Sequence, residues 1–237
     1  MLYNDMRVII PNVNFTKGFD GHYMTPKQNY QIMLDKTINE IVKQGTRPSL
    51  LLHACCAPCS SYVLEYLNEY FDITVFFCNP NITEETEYKK RAAELERFIS
   101  QMPKEHEINL MYGKYEPKEF FDIARGLESA PEGGERCFKC YRLRLTHTAK
   151  AAKENGFDFF TTTLSISPHK NAAELNEAGA QLSAECGVSY LFSDFKKKNG
   201  YKRSCELSAK YGLYRQNYCG CIFSKREAKL RQIQDTH

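Results

Sequence analysis

The sequence predicts an α/β fold in which helices cover both faces of a parallel sheet. Three observations support this prediction. From residue 48 onward, short apolar runs alternate with longer amphipathic segments. The runs are continuously apolar, as in strands buried on both faces. A helical pattern lies between successive runs, as parallel connections require. We therefore expect a Rossmann-like (HUP-like) domain over residues 47–237, preceded by an N-terminal extension, residues 1–46, that carries one helix.

The helix of the extension is expected to begin at Thr25 and to end near Gly45. Thr25 can cap it, Pro26 suits the first helical position, and Gln28 completes a capping box. The strands that follow are predicted at Ser49–Ala54, Ile73–Cys78, Ile108–Tyr112, Phe157–Leu164 and Ser189–Phe192. Further helices are predicted at Ser60–Tyr70, Glu84–Gln101, Pro117–Gly126, Cys140–Asn155, Ala172–Cys186 and Arg203–Tyr211.

In such folds, ligands bind beyond the carboxyl ends of the strands, near the point where strand order reverses. The loop after the first predicted strand carries adjacent cysteines, Cys55 and Cys56. The loops at the same end after the second, fourth and fifth strands are residues 78–81, 161–170 and 194–198. The predicted ligand end of the sheet is therefore rich in polar and thiol side chains.

Composition excludes several classes of protein. Ten cysteines in 237 residues are too few for a small disulfide-stapled scaffold. The N-terminus lacks the apolar core of a secretory signal, and no segment approaches the roughly 18 apolar residues of a membrane span. We expect a soluble, cytoplasmic protein with reduced thiols and no membrane contact.

The positive charge is concentrated near the C-terminus. Residues 196–231 hold eleven Lys and Arg against two Glu, so this segment carries +9, the whole chain +3 and the rest −6. Tyrosines are interleaved with the basic residues, so the segment can bind a polyanion and stack on unpaired bases. A solvated helix face would have the same composition.

Three pairs of closely spaced cysteines point to metal or redox chemistry. They are Cys55 with Cys56, Cys137 with Cys140, and Cys219 with Cys221. A four-thiolate zinc site is one interpretation. However, adjacent thiolates such as Cys55 and Cys56 diverge, so they suit two irons of a cluster better than one small ion. Cys140 is expected to begin a helix whose dipole favours bound thiolates.

The remaining thiols leave more alternatives open. Gly220 between Cys219 and Cys221 gives the backbone freedom for a strained, labile disulfide, but the pair can also ligate a second metal or be simply buried. Cys59 is either a further ligand or a thiol near a helix cap. Isolated cysteines are more often packing residues, and the three of this kind are Cys78, Cys186 and Cys205.

Taken together, several segments resemble the QueH-type epoxyqueuosine reductases over roughly residues 49–224. They are Leu52-His53-Ala54-Cys55-Cys56-Ala57-Pro58-Cys59, Phe77-Cys78-Asn79-Pro80-Asn81-Ile82, residues 132–145 around Cys137 and Cys140, Thr161-Thr162-Thr163-Leu164 with Ser167-Pro168-His169-Lys170, Asp194-Phe195-Lys196-Lys197, and residues 213–221 ending in Cys219-Gly220-Cys221. The first 45 residues lie outside the pattern.

The resemblance implies reduction of the epoxide of epoxyqueuosine at the wobble position of tRNA, fed by an external electron donor. It also implies a [4Fe-4S] cluster on four cysteines, a second metal beside it, iron or zinc, and a redox role for Cys219 and Cys221. The four implied cluster ligands are Cys55, Cys56, Cys137 and Cys140. In some relatives an Asp associated with the second metal stands where this chain has Cys59.

The same resemblance makes the basic segment a tRNA-binding surface. The residues expected to contact tRNA are Lys196, Lys197, Lys198, Lys202, Arg203 and Arg215. Candidate proton donors are His169, Lys170, Tyr141 and Asp194. Two other interpretations use the same thiols, namely a zinc-stabilised RNA-binding protein without catalysis and a thioredoxin-like reductase without metal.

Overall fold

A computed structural model gives the structure of the protein and describes residues 28–234. Five parallel strands form one sheet in the order β3-β2-β1-β4-β5, which confirms the predicted α/β fold. The strands are β1 Ser49–His53, β2 Asp72–Phe77, β3 Asn109–Tyr112, β4 Phe159–Thr162 and β5 Ser189–Tyr190. The helices are α1 Tyr30–Gln44, α2 Ala57–Leu67, α3 Glu85–Gln101, α4 Pro117–Ala124, α5 Glu135–Glu154, α6 Ala172–Cys186, α7 Gly200–Lys210 and α8 Ile222–Gln234.

Strand β1 is central and has a hydrophobic core on each side. Leu50 and Leu52 belong to the core that includes residues of α1, α2 and α3. Leu51, between them, points to the opposite core with residues of α5 and α6. Because side chains alternate across a strand, the continuous apolar run of β1 covers both faces, as the sequence predicts.

Helix α1 packs into the first core through Leu34, Ile38 and Ile41. It begins at Tyr30, because the Asn29 side chain accepts hydrogen bonds from two amides of the first turn. The predicted cap Thr25 lies outside the described residues. The division into an extension and a main domain stays a prediction.

Two predicted helix starts near the thiols are wrong. Helix α5 begins at Glu135, not Cys140, since Gly134 is its N-cap. Helix α2 begins at Ala57, not Ser60, because Pro58 fits within a first helical turn. The thiols of both segments are therefore held on, or directly before, a helical turn.

Two further elements differ from prediction. The fourth strand ends at Thr162, whose side chain accepts a hydrogen bond from the Leu164 amide and starts a 3₁₀ helix, Thr163–Ile166. Helix α8 was missed because its sequence is mostly polar, with only Ser224 and Ala228 buried. Within residues 28–234, none of the helices has the length and apolar content needed to cross a lipid bilayer.

Candidate metal centre

The loop after β1 brings three thiols together. The Sγ atoms of Cys55, Cys56 and Cys59 all lie within 4.8 Å of one another, and Cys55 Sγ is 3.7 Å from Cys56 Sγ. Cys55 and Cys56 are buried. The loop is fixed at Ala54, whose amide donates to Phe76 and whose carbonyl accepts from Asn79 Nδ2 at 2.8 Å. The continuation of β1 thus places the three thiols at the carboxyl end of the sheet.

The three thiols differ in acidity. Hydrogen bonds from the Cys56 and Cys59 thiols lower the pKa of Cys55 well below its usual value, although burial opposes the shift. The hydrogen bond with Cys55 raises the pKa of Cys56 to about 12, and hydrogen bonds with both neighbours raise that of Cys59. Cys55 is therefore the first of the three to become a thiolate.

His53 supports this loop as a neutral residue. Its Nε2 donates to the Cys78 carbonyl at 3.2 Å, which leaves Nδ1 to accept from Thr162 Oγ1 at 2.9 Å. Burial, then the charge of Arg144, lowers the pKa of His53 to about 3. His53 therefore ties β1 to the loops after β2 and β4 without adding a charge.

Helix α5 contributes the second pair of thiols from its first two turns. Cys140 is buried, and this burial raises its pKa to about 12. Cys137 is half-buried, and the Gly133 amide donates to its Sγ at 3.2 Å. The Gly133 amide, directly before the helix, stabilises a thiolate at Cys137, although burial raises the pKa of this thiol above its usual value.

The third pair lies in the loop before α8. Gly220 between the two thiols has a φ of 128°, which favours glycine. Arg91 Nη1 donates to the Cys219 carbonyl at 2.9 Å, and Lys170 Nζ lies 3.5 Å from Cys219 Sγ. Cys221 Sγ accepts from the Ser224 amide at 3.3 Å. All ten cysteines are free thiols.

Two adjoining cavities connect these thiols. The larger has a volume of about 210 Å³ and is lined by the three thiols of the β1 loop, and the smaller, about 20 Å³, is lined by Cys137, Cys140 and Cys221. Cys219 and Lys170 line both cavities. The three pairs therefore face one region of the molecule. Among the described residues, only the trio of the β1 loop has its Sγ atoms within 4.8 Å of one another.

Buried positive charge lies next to these thiols. Burial alone would lower the pKa of Lys170, but the Cys219 thiol, Tyr141 and Cys55 raise it above its usual value. Arg144 is fully buried, and two of its three side-chain nitrogens have no hydrogen-bond partner among the described residues. Soft thiol donors beside uncompensated cations fit a thiolate-bound metal group of net negative charge.

The candidate proton donors have different surroundings. Lys170 and His169 line the large cavity. Tyr141 is buried in the second core, and this burial raises its pKa well above the usual value. Asp194 forms an ion pair with Lys196 at 2.6 Å. Lys170 and His169 are thus the candidates with access to the large cavity.

The basic residues predicted to bind tRNA are dispersed. Arg215 lines the large cavity. Lys198 pairs with Asp35, and Arg203 pairs with Glu65. Lys197 and Lys202 are exposed. Much of the excess charge read from the sequence is therefore neutralised by carboxylates from other parts of the chain.

Sequence reasoning missed two buried arginines of the site, Arg91 and Arg144. Each had a signal in its helical spacing. Arg91 lies four residues after Glu87, with which it forms a 2.7 Å ion pair, and Arg144 lies four residues after Cys140. Residues four apart share a helix face, so Arg144 stands on the face that carries Cys140. Arg91 stands on the face that carries Glu87 and lines the large cavity together with the thiols of the β1 loop.

Comparison with known proteins places residues 50–227 within a match to the family model described as epoxyqueuosine reductase QueH. The epoxyqueuosine reductase QueH of Streptococcus pyogenes is 42% identical over 215 residues, covering 89% of this chain and 84% of the relative. That of Staphylococcus epidermidis is 45% identical, covering 87% of this chain and 90% of the relative. That of Thermotoga maritima is 34% identical, covering 78% of this chain and 95% of the relative.

Proposed function

The chain belongs to the family of epoxyqueuosine reductases described as QueH and has that activity, and we propose which of its residues perform the reaction. Reduction of the epoxide to an alkene takes two electrons and two protons, and the oxygen leaves as water. The substrate is epoxyqueuosine at the wobble position of a cytoplasmic tRNA. Nothing in the comparisons favours the alternative of a non-catalytic, zinc-stabilised RNA-binding protein.

Four thiols are the proposed ligands of a [4Fe-4S] cluster, namely Cys55, Cys56, Cys137 and Cys140. The proposal is supported by the vicinal pair, which suits two irons better than one ion, and by the two adjoining cavities. The buried cations beside these thiols offset the negative charge of four thiolates. When bound, the cluster supplies electrons one at a time.

Cys59 is the proposed ligand of a second metal, iron or zinc. Its Sγ lies within 4.8 Å of the Cys55 and Cys56 sulfurs, so an ion held by Cys59 would adjoin the cluster. The large cavity reaches all three thiols. A Lewis-acidic ion there can polarise the epoxide oxygen.

Cys219 and Cys221 are the proposed redox pair. A dithiol that closes to a disulfide releases two electrons and two protons, which equals the demand of one epoxide. Lys170 Nζ lies 3.5 Å from Cys219 Sγ, so a positive charge adjoins the proposed redox pair. An external electron donor then reopens the disulfide. Gly220 gives the backbone the freedom that this short ring needs.

The mouth of the large cavity is the proposed entry for the wobble nucleoside. Arg215, Tyr201 and Tyr218 line it, and the Arg215 guanidinium lies 6.0 Å from the centre of the Tyr201 ring. A guanidinium beside aromatic rings suits a phosphate followed by an unstacked base. Lys197 and Lys202, which are exposed and form none of the ion pairs described above, would extend this surface along the anticodon stem.

One observation carries the proposal: three thiol pairs that are distant in sequence line two adjoining cavities. The test is anaerobic reduction of tRNA that contains epoxyqueuosine, followed by nucleoside analysis and by assays of iron and sulfide. Cys137→Ala should lose the cluster and form no queuosine. The matched control is Cys186→Ala, a thiol at the end of α6, which should keep both. Equal product from the Cys137 variant would remove the cluster from the mechanism.

A further inference from the structure

Arg144 has no counter-charge from a carboxylate among the described residues. Its side chain is 0% exposed. Its single hydrogen bond is long, from Nη1 to Asn79 Oδ1 at 3.4 Å, and Nε and Nη2 have no partner in the described part of the chain. A buried cation left with unmade hydrogen bonds costs several kcal/mol. The fold keeps this cation at the site despite that cost.

The other two fully buried arginines each have a carboxylate partner, although Arg91 Nη2 and Arg136 Nε also lack a hydrogen-bond partner in the described part of the chain. Arg91 donates to the Glu87 carboxylate and to the Cys219 carbonyl. Arg136 donates to the Glu227 carboxylate and to three backbone carbonyls. Each therefore has a carboxylate and at least one carbonyl, as a structural arginine requires. Arg144 differs because it has no carboxylate partner among the described residues, and two of its nitrogens, rather than one, lack a hydrogen-bond partner there.

Thiols from three segments of the chain act electrostatically on Arg144. Cys140 lies one helical turn before it on α5, and long helical side chains point back toward the preceding turn. Burial alone would lower the pKa of Arg144, but the Cys140, Cys219 and Cys55 thiols, in that order, raise it. Thiols from α5, from the β1 loop and from the loop before α8 thus act on one guanidinium.

We propose that Arg144 donates hydrogen bonds from Nε and Nη2 to sulfur atoms of the metal centre bound by Cys55 and Cys140. This inference rests on the proposed function, because it requires that centre. Arg144 is then a positioning residue that raises the reduction potential of the centre. Both the positive charge and the hydrogen bonds to sulfur stabilise the reduced form, which carries the extra negative charge.

The test compares wild type with Arg144→Met and Arg144→Lys by redox titration monitored by EPR, with iron and sulfide measured on each sample. The Met variant removes the charge and both donors, whereas the Lys variant keeps the charge but loses the planar fork of donors. The matched control is Arg142→Met on the same helix, since Arg142 pairs with Glu185 and its side chain is 44% exposed.

At equal iron content, the reduced-to-oxidised ratio at a fixed potential should fall at least tenfold in the Met variant. This corresponds to a midpoint lower by about 59 mV for one electron. The ratio for the Lys variant should lie between those of the Met variant and wild type, and the ratio for the Arg142 control should equal that of wild type. If the Met variant does not fold, the Lys variant decides the question.

Midpoints equal to wild type in Arg144 variants that hold full iron would overturn the role of Arg144. A wild-type protein without iron and sulfide after anaerobic reconstitution would instead overturn the proposed cluster. The two failures are therefore told apart by the metal analysis of wild type alone.

Discussion

Replacement of Arg91 by Met should destabilise the protein and loosen the loop that carries Cys219. Arg91 is 1% exposed and pairs with Glu87 of the same helix, α3, at 2.7 Å. It joins α3 to that loop through the Cys219 carbonyl at 2.9 Å. Removing one partner of a buried ion pair costs about 3–5 kcal/mol. Glu87 keeps a hydrogen bond from the Tyr214 hydroxyl at 3.2 Å, so we expect the lower end, about 3 kcal/mol.

Glu87→Gln isolates the pair in a double-mutant cycle. Once Arg91 is Met, a neutral amide at position 87 no longer buries an unpaired charge. The double variant should therefore be more stable than the sum of the single effects predicts, by about 1–2 kcal/mol. Urea unfolding of the metal-free proteins gives these free energies. Hydrogen exchange over residues 213–221 should rise in Arg91→Met more than elsewhere.

Two results would refute this reasoning. Additivity of the two substitutions within about 0.5 kcal/mol would mean that Arg91 and Glu87 do not act as a pair. Unchanged exchange in the loop would mean that the contact with the Cys219 carbonyl does not hold it.

Three other predictions concern different parts of the molecule. A hydrogen bond from a neighbouring guanidinium is the main cause of the lowered pKa of Glu94. Glu94 also accepts a 2.8 Å hydrogen bond from a loop amide. Glu94→Gln should therefore lower the free energy of unfolding by about 1 kcal/mol at pH 7. Because a lowered carboxyl pKa stabilises the fold only while the group is ionised, urea unfolding should show this difference shrinking as the pH falls through the range in which Glu94 becomes protonated. A difference that does not change with pH would contradict this reasoning. Gly179→Ala places Cβ 2.3 Å from the Tyr190 ring. The substitution should lower the free energy of unfolding by about 1–3 kcal/mol, measured by thermal unfolding, and Tyr190→Leu should restore part of this stability. Arg215→Gln should weaken tRNA binding and reduce the slope of log affinity against log salt concentration by about 1. Lys210→Gln, away from the large cavity, should change neither. Equal effects of the two substitutions would mean that Arg215 is not part of the binding surface.

Apolar periodicity was enough to predict the sheet but not the ends of the elements around the site. Strand β1 is a run of buried leucines, so its position and its burial on both faces follow from the sequence. The first turns of α5 are charged, and glycines directly precede them. The sequence pattern therefore did not indicate that the helix begins at Glu135. Helix α8 buries only two small residues, so it has almost no apolar stripe to detect.

The thiol pairs could be found from spacing, but their surroundings could not. Arg144 was missed because a charged residue is expected on the surface, and only the fold shows that it is buried beside sulfur. The charge count of the basic segment also overstated its free charge. Lys198 pairs with Asp35, 163 residues away, and a contact of that kind depends on tertiary structure.

The distribution of the thiols along the chain limits when the proposed cluster can be inserted into the protein. Cys55 and Cys56 precede Cys137 and Cys140 in synthesis, and the proposed set of four ligands exists only after α5 has docked beside the β1 loop. Iron that arrives before this docking would meet an incomplete ligand set. The cysteines of the β1 loop therefore have to stay reduced until that docking.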